Sequence, residues 1–223
     1  MTHLEGELKK IRQFALEMML IVKNQLHKGR EAFFDVNKDL AFEVLHNERR
    51  VNGYELLIDN ECENVIALLN PVAVDLRFLL ATLKINYHLE RIGDNTKNIA
   101  QNIVEMHPAW DSDFLERLQL AKAFDVAETM LSDVIESFEK ENTTIARKVF
   151  EKDKIIDDIT NRCIPIIAAY LRESSKNVDQ DIFLLLIIKK LERIGDLVKN
   201  IAEEIIFYLE AKILKHHGKS ELG

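Results

Sequence analysis

The sequence predicts an all-α protein: two tandem antiparallel three-helix bundles related by an internal repeat. Three observations carry this. Only 7 Gly and 3 Pro interrupt 223 residues, of which 47% are hydrophobic and 30% charged, a balance that suits long amphipathic helices. Apolar residues recur at three- and four-residue steps through most of the chain, and no stretch alternates as a strand would. Finally, Leu89-Glu90-Arg91-Ile92-Gly93-Asp94 returns letter for letter as Leu191-Glu192-Arg193-Ile194-Gly195-Asp196. Lys97-Asn98-Ile99-Ala100 follows in the same register as Lys199-Asn200-Ile201-Ala202. Identity at one fixed offset marks a duplicated structural unit. The expected division is 1–108 and 109–223.

The first helix is expected over about Leu4 to His27, with Leu8, Ile11, Ala15, Met18, Met19 and Val22 on one face and Gly29 as its stop. The second is expected from about Asn37 to Leu69, with Ala41, Val44, Val51, Ile58, Val65 and Leu69 inward. Asn70-Pro71 reads as N-cap and first-turn proline of a third helix reaching Met106, with Asp75 near its positive end. His107-Pro108 closes the first half, and Trp110 to Asp113 forms a hinge in which Asp111 or Ser112 can cap the next helix.

A fourth helix is expected over about Phe114 to Lys140, with Leu118, Ala121, Val126, Met130, Val134 and Phe138 inward. Asn142 or Thr143 caps a fifth, reaching about Arg172 and kinked at Pro165. A loop over Ser174 to Asn177 leads to a sixth helix ending near Leu214, with a frayed tail over Gly218 to Gly223. Helices of about 30 residues are about 45 Å long. Short connections then make neighbouring helices antiparallel.

Composition removes several function classes. The net charge is −8 and there is no long Lys/Arg run, so a nucleic-acid footprint is lacking. The longest apolar run, Ile182 to Ile188, is too short to span a bilayer, and the N-terminus carries no apolar signal segment. Cys62 and Cys163 stand alone, which predicts buried thiols in a reducing, cytoplasmic compartment. There is no P-loop, GxGxxG, HExxH or GxSxG motif. Glu43-x-x-His46 has the spacing of a di-iron ligand pair but occurs once, where such sites need two. Neither His88 nor His216-His217 adds a coherent ligand set.

The repeated phrase carries the candidate site. On a helical wheel, Ile85, Ile92, Ile99 and Ile103 share a stripe, and Glu90, Asp94 and Asn98 fall nearly opposite. The second copy sets Glu192, Asp196 and Asn200 against Ile187, Ile194, Ile201 and Ile205. Both are expected to form acidic rows on the exposed side of each bundle. Asp153 and Asp157 make a similar row on the fifth helix, opposite Ile155, Ile159 and Ile166, and the second helix offers Glu48 and Asn52 at the matching place. Acids one turn apart repel by roughly 0.2–0.5 kcal/mol. That repulsion is offset locally by Arg91 and Lys97, or by a bound cation bracketed by carboxylate oxygens. Gly93 and Gly195, each costing about 1 kcal/mol inside a helix, suggest that another helix backbone comes close there. Three readings follow: a regulator with metal-binding acidic surfaces, a carboxylate-bridged metalloenzyme, and a structural helical scaffold with solvated acids. The metalloenzyme needs a concave, dry pocket, which exposed acids do not provide.

The doubled phrase, together with Pro71-Val72-Ala73-Val74-Asp75-Leu76-Arg77 at the start of the third helix, resembles the PhoU family of bacterial phosphate uptake over essentially the whole chain. The resemblance implies a cytosolic, non-catalytic regulator. Its expected partners are the ATPase of the phosphate ABC transporter and a sensor histidine kinase, with membranes met only through those partners. A homodimer is implied, as is a multinuclear metal centre, iron or zinc, with no organic cofactor. The implied metal residues are Glu90, Asp94, Glu192 and Asp196, supported by Asp153 and Asp157, with Asn98 and Asn200 as amide ligands. In the first repeat Glu48 is followed by Asn52 where the family pattern has Asp, so the first centre is expected to be the weaker. The second repeat has Asn177-Val178-Asp179 in place of the PVAxDLR segment. With no Gly-rich loop and no Arg cluster, the chain is expected to relay a phosphate signal, not to bind phosphate itself.

Overall fold

A computed structural model describes residues 2–106, 111–173 and 178–211. Among these the secondary structure is helical, in the order α1 (His3–Phe34), α2 (Lys38–Leu69), α3 (Ala73–Met106), α4 (Ser112–Arg117), α5 (Leu120–Lys140), α6 (Thr143–Glu173) and α7 (Val178–Glu210). Helices α1, α2 and α3 pack on one another, and so do α5, α6 and α7. The two bundles join along α3 against α7 and α1 against α5, leaving α2 and α6 on the outer flanks.

Side-chain pairs fix the directions. Lys10 on α1 reaches Glu61 late on α2, and Asn86 on α3 reaches Asp59, so successive helices run antiparallel. Across the joint, Lys84 of α3 meets both Glu204 oxygens of α7 at 3.1 and 3.3 Å, and Arg30 of α1 meets Asp125 of α5 at 2.9 Å. Equivalent helices of the two repeats therefore pair head to tail, as a pseudo-two-fold relation requires. At one end Arg12 bonds the Phe138 carbonyl and lies over the Phe78, Phe138 and Tyr208 rings, tying four helices together.

The cores follow heptad seams more closely than a straight 3.6-residue wheel. On α2 the inward positions are Ala41, Val44, Glu48, Val51, Ile58, Cys62 and Val65, and on α6 they are Ala146, Val149, Asp153, Ile156, Thr160, Cys163 and Ile167. Alternating three- and four-residue steps of this kind keep one seam facing its neighbours along elongated bundles. Polar residues at several seam positions, Glu48, Asp153 and Thr160, are therefore buried.

The termini of the elements show where local chemistry was read correctly and where tertiary packing overrode it. Thr2 and Glu5 form a capping box that starts α1. Asn37 caps α2, Asp111 caps α4, and the Asn142 side chain accepts from Thr144 N at the head of α6. Gly29 does not end α1, which continues to Phe34. A Cβ on Gly29 would lie 2.9 Å from Thr96 Cγ2, so the glycine admits a neighbouring helix. Asn70 is the left-handed C-cap of α2, not the N-cap of α3. The expected fourth helix is broken at Gln119, whose φ is 52°, and Ala121 just beyond the break is exposed. Pro165 stays inside a continuous α6. The expected loop over 174–177, the His107-Pro108 boundary, Trp110, His216-His217 and the tail lie outside the described residues.

Candidate functional site

The acidic rows are not simply exposed, as the helical wheel suggested. Glu48 and Asp153 occupy seam positions and are 4% exposed. Glu90, Asp94, Glu192, Asp196 and Asp157 are half-buried along the seams between α2 and α3 and between α6 and α7. Asn98 is exposed and donates to the Asp94 carbonyl, Asn200 is half-buried, and Asn52 points to solvent. Ile155 is also outward, with Ile156 in its place, while Ile159 is buried as expected and Ile166 packs partly against the core.

In the first repeat, carboxylate oxygens of Glu48, Glu90 and Asp94 all lie within 4.8 Å of one another. Gly93 makes room for this. A Cβ there would meet Gln25 Oε1 at 3.3 Å, Val51 Cγ1 at 3.4 Å and Glu48 Oε2 at 3.5 Å. The space is filled by side chains, including the buried acid, and not by a helix backbone as expected. Gln25 is fully buried, and its amide donates to Glu48 Oε2 at 3.2 Å and to the Val44 carbonyl at 3.3 Å. Glu48 Oε1 and Gln25 Oε1 have no hydrogen-bond partner.

Charge is poorly compensated here. Only Asp94 has basic neighbours within 4 Å, Lys97 at 3.6 Å and Arg91 at 4.0 Å. Burial, with Asp94 and Glu55 nearby, pushes Glu90 up to about 7. Burial also raises Glu48, against the pull of the Gln25 hydrogen bond and the charge of Lys97, and raises Glu55 beside Asp59 and Asp94. Three convergent carboxylates make an oxygen-only donor set able to hold a hard cation.

The second repeat places the same motif differently. Lys199 bonds both Asp153 Oδ2 and Asp196 Oδ1, the latter at 2.9 Å, and Lys189 bonds Glu192 at 2.6 Å. Burial opposes the charge on Lys199, but its two carboxylate partners outweigh that and raise its pKa. Asp153 and Asp157 are raised by burial, each partly offset by Lys199. The two repeats also differ in lining. A Cβ on Gly195 would meet Asp153 Oδ1 at 3.1 Å, Ile156 at 3.2 Å and Met130, not a glutamine, at 3.8 Å.

The family model for the PhoU domain matches residues 15–103 and again 120–205, one match on each bundle. The chain belongs to the PhoU family. It is 30% identical to the Escherichia coli phosphate-specific transport system accessory protein PhoU, over 99% of this chain and 92% of that one. It is equally identical to the Aquifex aeolicus homologue, over 97% of each. The crystal structure of PhoU from Pseudomonas aeruginosa superposes with a TM-score of 0.88 at 25% identity, covering 93% of this chain and 99% of that one. The phosphate transport system regulatory protein PhoU from Streptococcus pneumoniae, 22% identical, shares the fold with a TM-score of 0.85 over 95% and 99%.

For this PhoU-family chain the structure brings Glu48, Glu90 and Asp94 together, and interposes lysines among Asp153, Asp157, Glu192 and Asp196. Asn52, where the second repeat has Asp157, is exposed and is not among the three converging groups. Sequence reasoning missed Gln25, Glu55, Lys189 and Lys199. Their signal was available: Gln25 and Glu55 fall on the heptad seams of α1 and α2, and Lys199 sits three residues after the motif aspartate. No helix among the described residues is long and apolar enough to cross a membrane.

Proposed function

We propose that this chain is a cytoplasmic regulator of phosphate uptake and phosphate-starvation signalling. In this reading it is an adaptor, not an enzyme, between the ATPase of a phosphate ABC transporter and a sensor histidine kinase, and works as a homodimer. Relatedness to phosphate transport accessory proteins over nearly the full length of both chains supports the transport role. The observation that carries the site is the convergence of Glu48, Glu90 and Asp94 within 4.8 Å around a buried carboxylate oxygen that lacks a partner. These residues would hold a metal ion or a small cluster, which would neutralise the α2–α3 seam and stiffen the face offered to partners. An oxygen-only donor set favours iron over zinc, whose protein sites are richer in nitrogen and sulfur.

The test joins metal content to partner binding. Protein from metal-replete cells should carry metal by elemental analysis, and Glu90→Gln with Asp94→Asn should remove most of it. The same variant should recover less transporter ATPase and sensor kinase in pull-downs. Metal-free wild-type protein, or partner recovery unchanged in the variant, would count against the reading.

A further inference from the structure

The two copies of the motif are identical, but their surroundings give them different counter-ions. Asp153 takes the place of Glu48 on the α6 seam, and one of its oxygens is bonded to Lys199 Nζ. The same ammonium also holds Asp196, the second motif acid. The remaining motif acid, Glu192, is bonded to Lys189. In the first repeat the residue corresponding to Lys199 is Lys97, which is 3.6 Å from Asp94 and is not paired with Glu48. The residue corresponding to Lys189 is Tyr87, which is exposed and carries no positive charge. Glu48 receives only a neutral amide, from Gln25. No basic group among the described residues stands within ion-pair distance of Glu48 or Glu90.

We infer that Lys199 is the built-in cation of the second repeat, so that the chain has one metal centre, in the first repeat, and a lysine-closed counterpart in the second. The inference rests on the cation-binding reading of the first cluster. A lysine ammonium and a metal ion compete for the same carboxylate lone pairs. Where the ammonium is tethered at 27% exposure between two acids, a solution cation must displace it and leave it half-buried. Lys97, more exposed at 37% and bonded to neither Glu48 nor Glu90, offers no such obstacle. Lys199 is thus a residue that sets metal stoichiometry, and its neighbour Lys189 reinforces it at Glu192.

The experiment measures Mn²⁺ bound per chain by equilibrium dialysis of the metal-stripped protein, with thermal melts in parallel. Wild-type protein is expected to bind at the first repeat only. Glu90→Gln with Asp94→Asn should abolish binding, whereas Glu192→Gln with Asp196→Asn should leave it unchanged. Lys199→Met should about double the bound Mn²⁺ and lower the melting temperature of the stripped protein, with Mn²⁺ restoring it. Lys97→Met should not add a second complement. The Glu192/Asp196 variant changes only half-buried polar groups, so it decides the matter even if Lys199→Met does not fold. If that variant loses Mn²⁺, or if folded Lys199→Met binds no more than wild type, the lysine closure is overturned while the first centre stands. Should wild-type protein bind no Mn²⁺, the cation reading of the first cluster falls and the inference falls with it.

Discussion

Replacing Glu90 with glutamine is expected to make the metal-free protein more stable. Burial and the acids around it push the Glu90 carboxyl from its ordinary 4.5 to about 7. At about 1.36 kcal/mol per pH unit, that gap corresponds to about 3 kcal/mol at full strength. Glu90 is only half-buried, so solvent screening reduces the effect to on the order of 1–2 kcal/mol. Below pH 4.5 the carboxyl is protonated in both folded and unfolded chains, and wild type and variant should match. Between 4.5 and about 7 the unfolded chain releases a proton that the folded chain keeps, so wild-type stability falls as pH rises. Above 7 the penalty is complete. Glu48 and Glu55 are raised as well and act in the same direction, so the difference between Glu90→Gln and wild type reports Glu90 together with its repulsion of the acids around it. For a chain of this size each kcal/mol moves the melting temperature by about 2–4 °C, giving a gain of roughly 2–8 °C at pH 8 and almost none at pH 4. Calorimetry of stripped protein across that range is the assay. Parallel pH profiles for the two proteins, or a destabilised variant at pH 8, would refute the account of strain among the three acids.

The glycines offer a direct check on helix packing. Gly53 has nothing within 4 Å of a built Cβ, so Gly53→Ala should stabilise by about 0.5–1 kcal/mol. Gly29→Ala drives its Cβ to 2.9 Å from Thr96 Cγ2 and should cost about 1–3 kcal/mol in urea unfolding. Cys62 and Cys163 are buried, which pushes their thiols up to about 12 and about 11. Neither should react with a thiol-specific disulfide reagent at pH 8 in the native protein, and both should react in denaturant; rapid native labelling would mean that the α2 and α6 seams open.

Much of the architecture was legible in the sequence because long helices are written redundantly. The 3-4 spacing of Ile85, Ile92, Ile99 and Ile103 and of their counterparts on α7 placed those cores correctly, and all eight of the residues named on the two helices are buried. Caps at Asp111 and Asn142 were readable because a side-chain oxygen acts within its own turn. Signals that depend on a neighbour were not. Gly29 reads as a stop until Thr96 is known to press against it. Asn70 has the chemistry of either kind of cap, and its left-handed φ of 45° decides for α2. Of the isoleucines expected inward on α6, Ile159 is buried and Ile166 partly so, but Ile155 lies outward, and the seam that packs also runs through Val149, Asp153 and Ile156. A polar residue at a seam position is invisible to a reading that searches for apolar ones.

That blind spot also separates the ranking of the two acidic sites expected from sequence from the one proposed above. Counting ligands along each helix gives the second repeat more carboxylates, since Asp157 stands where the first repeat has Asn52. Packing instead asks which charges are already satisfied. The buried acid of the second repeat has a cation from its own chain, while that of the first repeat has a neutral amide and two acidic neighbours. Asp153 still has one oxygen without a partner, but its charge is balanced by Lys199, whereas an uncompensated carboxylate cluster costs stability until something positive arrives. Duplication thus produced two frames whose shared isoleucines and glycines hold the bundles together. The residues that differ include two that line the buried acid and its motif, Gln25 against Met130 and Tyr87 against Lys189, while the shared lysine bonds the buried acid in the second repeat only. If the proposed cation site is occupied, sensitivity to ions in solution is concentrated in the α2–α3 seam, and a conformational response to metal should begin there.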